Sequence, residues 1–214
     1  MQVKPDLVAD YLAWFHGFYA PLDTPDTAED SLQSRLDISP PELLIAALTQ
    51  GRVPNSGMLH LNHTDQVELR DGILVFASEQ QGTHDYGMPV AELDSPSPSV
   101  VQNSTGSWER EGCSLADFLR CYVALNRVYD APCTGGPAWI EDETIPALKA
   151  KWSPHRIVMR SWQATPITYW TRDDAVAILL PDFDDDGDTI ELGAKSEDGF
   201  ADAIRELGLD EDDD

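Results

Sequence analysis

The chain reads as an α+β protein, with a mostly antiparallel sheet packed against helices and a smaller α+β extension at the C-terminus. Three observations predict this. Apolar residues recur at helical spacing near the start, in the middle and at the end of the chain. Between the first two helical stretches lie short strand-like runs bounded by turn residues, the pattern of a meander. One of these turns, Asp71-Gly72, is the dipeptide best suited to a two-residue hairpin loop, and it leads into the solid apolar run Ile73 to Ala77.

The elements follow in order. Leu7, Tyr11, Phe15 and Phe18, joined by Val8, Leu12 and Trp14, give a first helix a broad apolar stripe, and Pro21 ends it. Residues 21–37 are rich in Asp, Thr and Pro and read as an exposed connection with a short helical turn at residues 30–36. Ser39 and Glu42 have capping-box spacing with Pro40 at the first helical position. Leu43, Leu44, Ala47 and Leu48 form the buried face of that helix, and Gly51 stops it. Strands are expected at residues 58–62, 66–70, 73–79 and 85–89, the third buried on both faces because it does not alternate. Pro and Ser in residues 94–104 exclude a central strand and place Val100-Val101 on an edge. Ser114 caps a third helix whose stripe is Leu115, Phe118, Leu119, Tyr122 and Tyr129.

At Thr134-Gly135-Gly136-Pro137 the texture changes, dividing the chain into a unit of residues 1–133 and an extension of residues 134–209 that stands apart or continues the same sheet. The extension is expected to carry a helix at 142–149 and strands at 156–161, 167–171, 175–180 and 189–194. A last helix, capped by Ser196, turns Phe200, Ala203, Ile204 and Leu207 inward and ends at Gly208. Residues 210–214 are all acidic and read as a solvated tail.

Charge bounds the function. The 214 residues include 39 acidic and 14 basic ones, a formal net charge of -25. Direct nucleic-acid binding is not expected, because neutralising phosphates requires clustered cations, whereas Lys149, Lys151, Arg156 and Arg160 are scattered. A basic protein partner is expected instead, since an acidic surface accelerates encounter with cations; solubility alone would also account for the charge. The N-terminus has acids within its apolar pattern and no basic start, so neither a signal peptide nor a spanning helix is expected, and the chain reads as cytoplasmic. Cys113, Cys121 and Cys133 form an odd, unpatterned set, consistent with reduced buried thiols.

Several constellations invite chemistry. Glu79, Gln81, His84 and Asp85 gather at the end of a buried strand, where a scaffold commonly displays a functional loop. Glu79 and His84 could share a proton, but no nucleophile elbow, phosphate-cradling loop or kinase set accompanies them, so catalysis is not expected and no cofactor is called for. Asp182, Asp184, Asp186 and Asp188 alternate before and after Gly187 as in a calcium loop, yet Gly193 stands where the closing Glu is required. The stretch reads as an acidic turn and only a weak cation candidate. His60 and His63, three apart on an expected strand, should point to opposite faces and share no metal. Among six tryptophans, Trp162 and Trp170 lie near Asp173 and Asp174, a pairing suited to an exposed anchor for a protein partner.

From the Pro-Pro-started helix at residues 39–50 to Tyr129, the order of features resembles the SUKH superfamily. Gly72-Ile-Leu-Val-Phe-Ala77 is followed by Glu79-x-Gln81-Gly82, Tyr86-Gly87, the Pro-rich Ser95 to Val101, Trp108 and Leu115-x-x-Phe118-Leu119. That superfamily includes a fungal cell-wall regulator and many bacterial immunity proteins of polymorphic toxin systems. The resemblance implies a SUKH-like α+β domain that binds other proteins and has no established catalytic centre. The functional expectation is an immunity-type protein that neutralises a toxin domain or other basic partner by occlusion. The alternative is a housekeeping scaffold or regulatory protein without a toxin.

Overall fold

The computed structural model describes residues 6–19, 29–53, 59–104, 106–130, 133–139, 144–157, 167–180 and 189–209. Helices α1 (Leu7–Phe18), α2 (Glu29–Leu36) and α3 (Glu42–Gln50) precede strands β1 (Leu59–Leu61), β2 (Glu68–Arg70), β3 (Ile73–Glu79) and β4 (Asp85–Pro89). After a 3-10 turn come β5 (Ser99–Asn103), β6 (Trp108–Ser114) and helix α4 (Leu115–Asp130). The rest comprises β7 (Cys133–Trp139), α5 (Thr144–Lys151), β8 (Ser153–Ile157), β9 (Ile167–Arg172), β10 (Ala175–Leu180), β11 (Thr189–Ala194) and α6 (Glu197–Leu207).

All strand pairs are antiparallel. The first sheet runs β1-β3-β4-β5-β6, with β2 sharing the β1 edge of β3, and the strands after residue 133 make a second sheet, β7-β11-β10-β9-β8. The fold is α+β, as the sequence predicts. Asp71 and Gly72 have φ of 53° and 76°, the two positive values that a tight hairpin loop needs, and Arg70 pairs directly with Ile73 across it. β3 is buried on both faces: Leu74 and Phe76 enter the main core, while Ile73 and Val75 pack with Val101 and Trp108 on the other side.

Helix α4 organises the molecule. Its residues Cys121 to Val128 are all buried, because the first sheet covers one side and the second sheet the other. Asn126 Nδ2 donates to the Leu59 carbonyl of the first sheet at 2.9 Å, and the Arg127 guanidinium donates to the Ala194 carbonyl of the second. Tyr169, Val176 and Ile178 share the main core with α1, α3 and α4, whereas Trp170, Ala177 and Leu192 face away and pack with α5 and α6. Four layers result: sheet, helices, sheet, helices.

Five expectations are corrected. The capping box at Ser39 does not form; α3 has Pro41 at its N-cap without a side-chain cap. The physical reason is Pro41 itself, which pushes the preceding Pro40 out of the helical region. Val100 and Val101 lie on an internal strand, since β6, which sequence reasoning missed, continues the sheet beyond β5. Tyr129 leaves the buried stripe and is 36% exposed. Trp170 is buried, not an exposed anchor, because strand alternation turns it onto α5 and α6. His63 lies beyond the end of β1, so alternation does not separate it from His60, and the two line one pocket.

Candidate functional site

The β3–β4 turn is built around Glu79. Its carboxylate is buried and accepts from the Gln81 N–H at 3.1 Å, the Thr83 N–H at 3.4 Å and the Thr83 hydroxyl at 2.8 Å. Burial opposes the charge, but these bonds and the nearby His84 outweigh it and hold the carboxyl below its usual range. Thr83 Oγ1 also lies 2.8 Å from His84 Nδ1. With the hydroxyl hydrogen committed to Glu79, the imidazole N–H is the donor to the oxygen. The arrangement therefore closes a loop instead of activating a nucleophile: the acceptor of the hydroxyl proton is a carboxylate with a lowered pKa, a weak base. Asp85 pairs with Arg70 at 2.6 Å, and Arg70 also pairs with Glu68, so its charge is used across the strands. Gln81 is exposed.

In the second group of expected residues, Asp174 is held in an ion-pair network, while Asp173 is exposed. Arg172 joins Asp174 at 2.6 Å, Glu206 at 2.6 Å and the Gly199 carbonyl at 2.9 Å, and lies over the Trp152 ring at 5.4 Å. This network ties the β9–β10 turn to α6. The Asp173 carbonyl accepts from Lys195 Nζ at 2.5 Å. Trp162 lies outside the described residues, as do Asp182, Asp184, Asp186, Asp188 and residues 210–214. Cys113 and Cys121 are free and buried; desolvation pushes the Cys113 thiol up to about 12, away from thiolate chemistry. No cluster of three metal-ligating side chains occurs among the described residues, and no described helix is long and apolar enough to cross a membrane.

A concavity lies elsewhere. A groove of about 770 Å³ opens where the N-termini of α1, α3 and α4 meet the Leu93 to Pro98 segment. Leu7, Leu43, Leu93 and Leu115 contribute apolar surface, while Asp6, Glu42, Asp94 and Asp117 supply carboxylates and Arg120 the single cation among the described residues. The acids fall there partly for local reasons. Asp6 caps α1 by accepting from the Ala9 N–H at 3.1 Å, and Asp117 accepts from Ser114 Oγ at 2.7 Å while Ser114 accepts from the Asp117 N–H. Glu42 and Asp94 make no described hydrogen bond or ion pair and are exposed. Sequence reasoning missed this site because its residues are far apart in the chain; the usable signal was that each expected helix start carries an acid.

No protein-family model, curated protein or solved structure matches this chain.

Proposed function

We propose that this chain is a cytoplasmic, non-enzymatic binding protein of the SUKH immunity type, which neutralises a cognate toxin or other basic protein partner by steric and electrostatic occlusion. The observation that carries the reading is the groove at the three helix starts: apolar surface bounded by four carboxylates and one cation, in a chain of net charge -25. An apolar floor supplies burial, and the carboxylates select cationic side chains and speed encounter. The expected β3–β4 residues contribute to the scaffold, because Glu79 and Asp85 are already paired within the chain.

The test uses the double variant Glu42→Gln/Asp94→Asn, which removes two groove charges without breaking a described bond. The partner is sought by co-expressing the chain with toxin genes neighbouring its own, scoring protection and then affinity. Affinity for that partner should fall with added salt and fall about two- to thirtyfold in the double variant, given about 0.2–1 kcal/mol per exposed charge pair. Binding indifferent to both salt and the double substitution would overturn the reading. A partner bound in the groove without protection from any toxin favours the housekeeping scaffold or regulator.

A further inference from the structure

A second pocket departs from the acidic balance of the chain. It measures about 360 Å³ and lies where the residues following α3 meet the end of β1 and the turn after it. Arg52, His60, Asn62, His63, Gln66 and Ser78 line it with Val53 and Leu61, and among the described residues no carboxylate does. In a chain with 39 acidic residues, 14 Lys and Arg and five His, one guanidinium and two imidazoles converge on a cavity without an acid among its described lining residues.

The Arg52 contacts point to what is wanted there. Nη1 lies 2.6 Å from His63 Nδ1, and Nη2 lies 2.8 Å from His63 Nε2. A neutral imidazole has one acceptor nitrogen, its other nitrogen carrying hydrogen. At most one of these contacts is therefore a hydrogen bond, and the other sets a guanidinium N–H against a ring N–H. Arg70, Arg110, Arg172 and Arg205 each have a carboxylate partner, whereas every described contact of Arg52 is to this imidazole. An acceptor placed between opposed donors relieves them, and the guanidinium fork suits an oxyanion.

The frame is preorganised. Arg35 Nη2 donates to the Thr64 carbonyl at 2.7 Å and the Val67 carbonyl at 2.6 Å, so the turn carrying His63 and Gln66 is held from behind by a further cation. The Gln66 N–H donates to the His63 carbonyl at 2.8 Å, and Val53 is fixed by its N–H to the Tyr122 hydroxyl at 2.6 Å. A divalent cation does not fit, since Arg52 sits against the imidazole that would have to ligate it.

We propose that this pocket binds a phosphate-class oxyanion, with Arg52 and His63 as its principal donors and Asn62, Gln66 and Ser78 completing the polar wall. Its volume is at the lower end of the roughly 300–1,000 Å³ of small-molecule sites, so there is room for an organic body behind the phosphate. This inference is independent of the acidic groove.

The full-length chain is titrated with inorganic phosphate and, separately, glycerol 3-phosphate, with chloride holding ionic strength constant. Calorimetry measures affinity, and the His60 and His63 ring signals in NMR locate the ligand. Saturable binding that moves both imidazoles is expected, weakened about ten- to a hundredfold in Arg52→Met, the worth of a hydrogen bond to a charged group. Arg52→Lys keeps the charge but not the fork, so it should bind more weakly than the native chain. It also decides the matter should Arg52→Met fail to fold. Preference for the ester identifies the phosphate end of an organic ligand; equal binding identifies the free ion. No saturable binding by either probe overturns the proposal. Undiminished affinity in Arg52→Met, or in Arg52→Lys where Met fails to fold, overturns it too.

Discussion

Replacing Gly193 by Ala tests whether α4 is clamped between the two sheets. A Cβ at Gly193 on β11 would lie 2.5 Å from the Arg127 carbonyl oxygen, 2.8 Å from Val128 Cα and 2.9 Å from the Arg127 carbonyl carbon. All three are backbone atoms of α4, so no side chain can rotate away. Reaching ordinary contact requires helix and strand to part by roughly 0.9 Å, an overpacking cost of about 1–3 kcal/mol. The same movement stretches the bond from Arg127 to the carbonyl of Ala194, the next residue, worth about 1.5–3 kcal/mol for a charged donor. Together these predict a loss of about 2.5–6 kcal/mol, read from urea unfolding followed by fluorescence of the buried Trp152 and Trp170. Gly17→Ala on α1 is the control: a Cβ there meets nothing within 4 Å, so stability should stay level or rise by up to about 1 kcal/mol. A Gly193→Ala cost below about 1 kcal/mol would show that α4 and the second sheet are not in the contact described.

Two further substitutions probe the networks that hold Glu79 and Asp174. Glu79→Gln should cost about 1–3 kcal/mol at pH 7, because the turn loses its charged acceptor. Since the folded pKa is lowered, the stabilisation is complete above the ordinary carboxylate range and is lost as pH falls through the folded value. Urea midpoints of native and variant chains should therefore converge in acid, and a constant gap would refute this account. Arg172→Met should cost about 2–3 kcal/mol and speed hydrogen exchange in α6, whereas Arg205→Met, whose ion pair is 68% and 61% exposed, should stay within about 0.5 kcal/mol; equal effects would contradict the network.

Local rules were legible and long-range ones were not. The Asp71-Gly72 turn, the Ser196 cap and the left-handed Gly208 follow from chemistry within a few residues, and the structure has all three. The four layers do not follow from such signals, because they depend on which faces meet. One clue was available: Cys121 to Val128 is apolar almost all round, the mark of a helix buried on every side, and it reads as a one-sided stripe only while Tyr129 is counted within it. Glu79 and Asp174 look available to a partner in sequence because nearness to other polar or aromatic residues is visible there, while the bonds that occupy them are not. β6 escaped because Trp108-Glu-Arg-Glu-Gly lacks an apolar run; as an edge strand it needs none.

Helix α3 links the two proposed sites, with the groove at its N-terminus and the polar pocket past its C-terminus. Its dipole favours an acid at the first end and a cation at the second, worth about 0.3–1 kcal/mol each, so Glu42 and Arg52 have a sufficient reason in stability alone. That reason does not extend to their neighbours. Asp94 comes from a loop, makes no described ion pair and adds a like charge to a groove that already holds Glu42 and Asp117. His63 sets donor against donor at Arg52. The α3 dipole accounts for neither placement, and local conflicts of this kind are expected where a surface serves a ligand. Nine helical residues span about 14 Å, beyond the screening length of about 10 Å at 0.1 M salt. A cationic partner at one end and an oxyanion at the other can therefore be held by one short helix without either field cancelling the other.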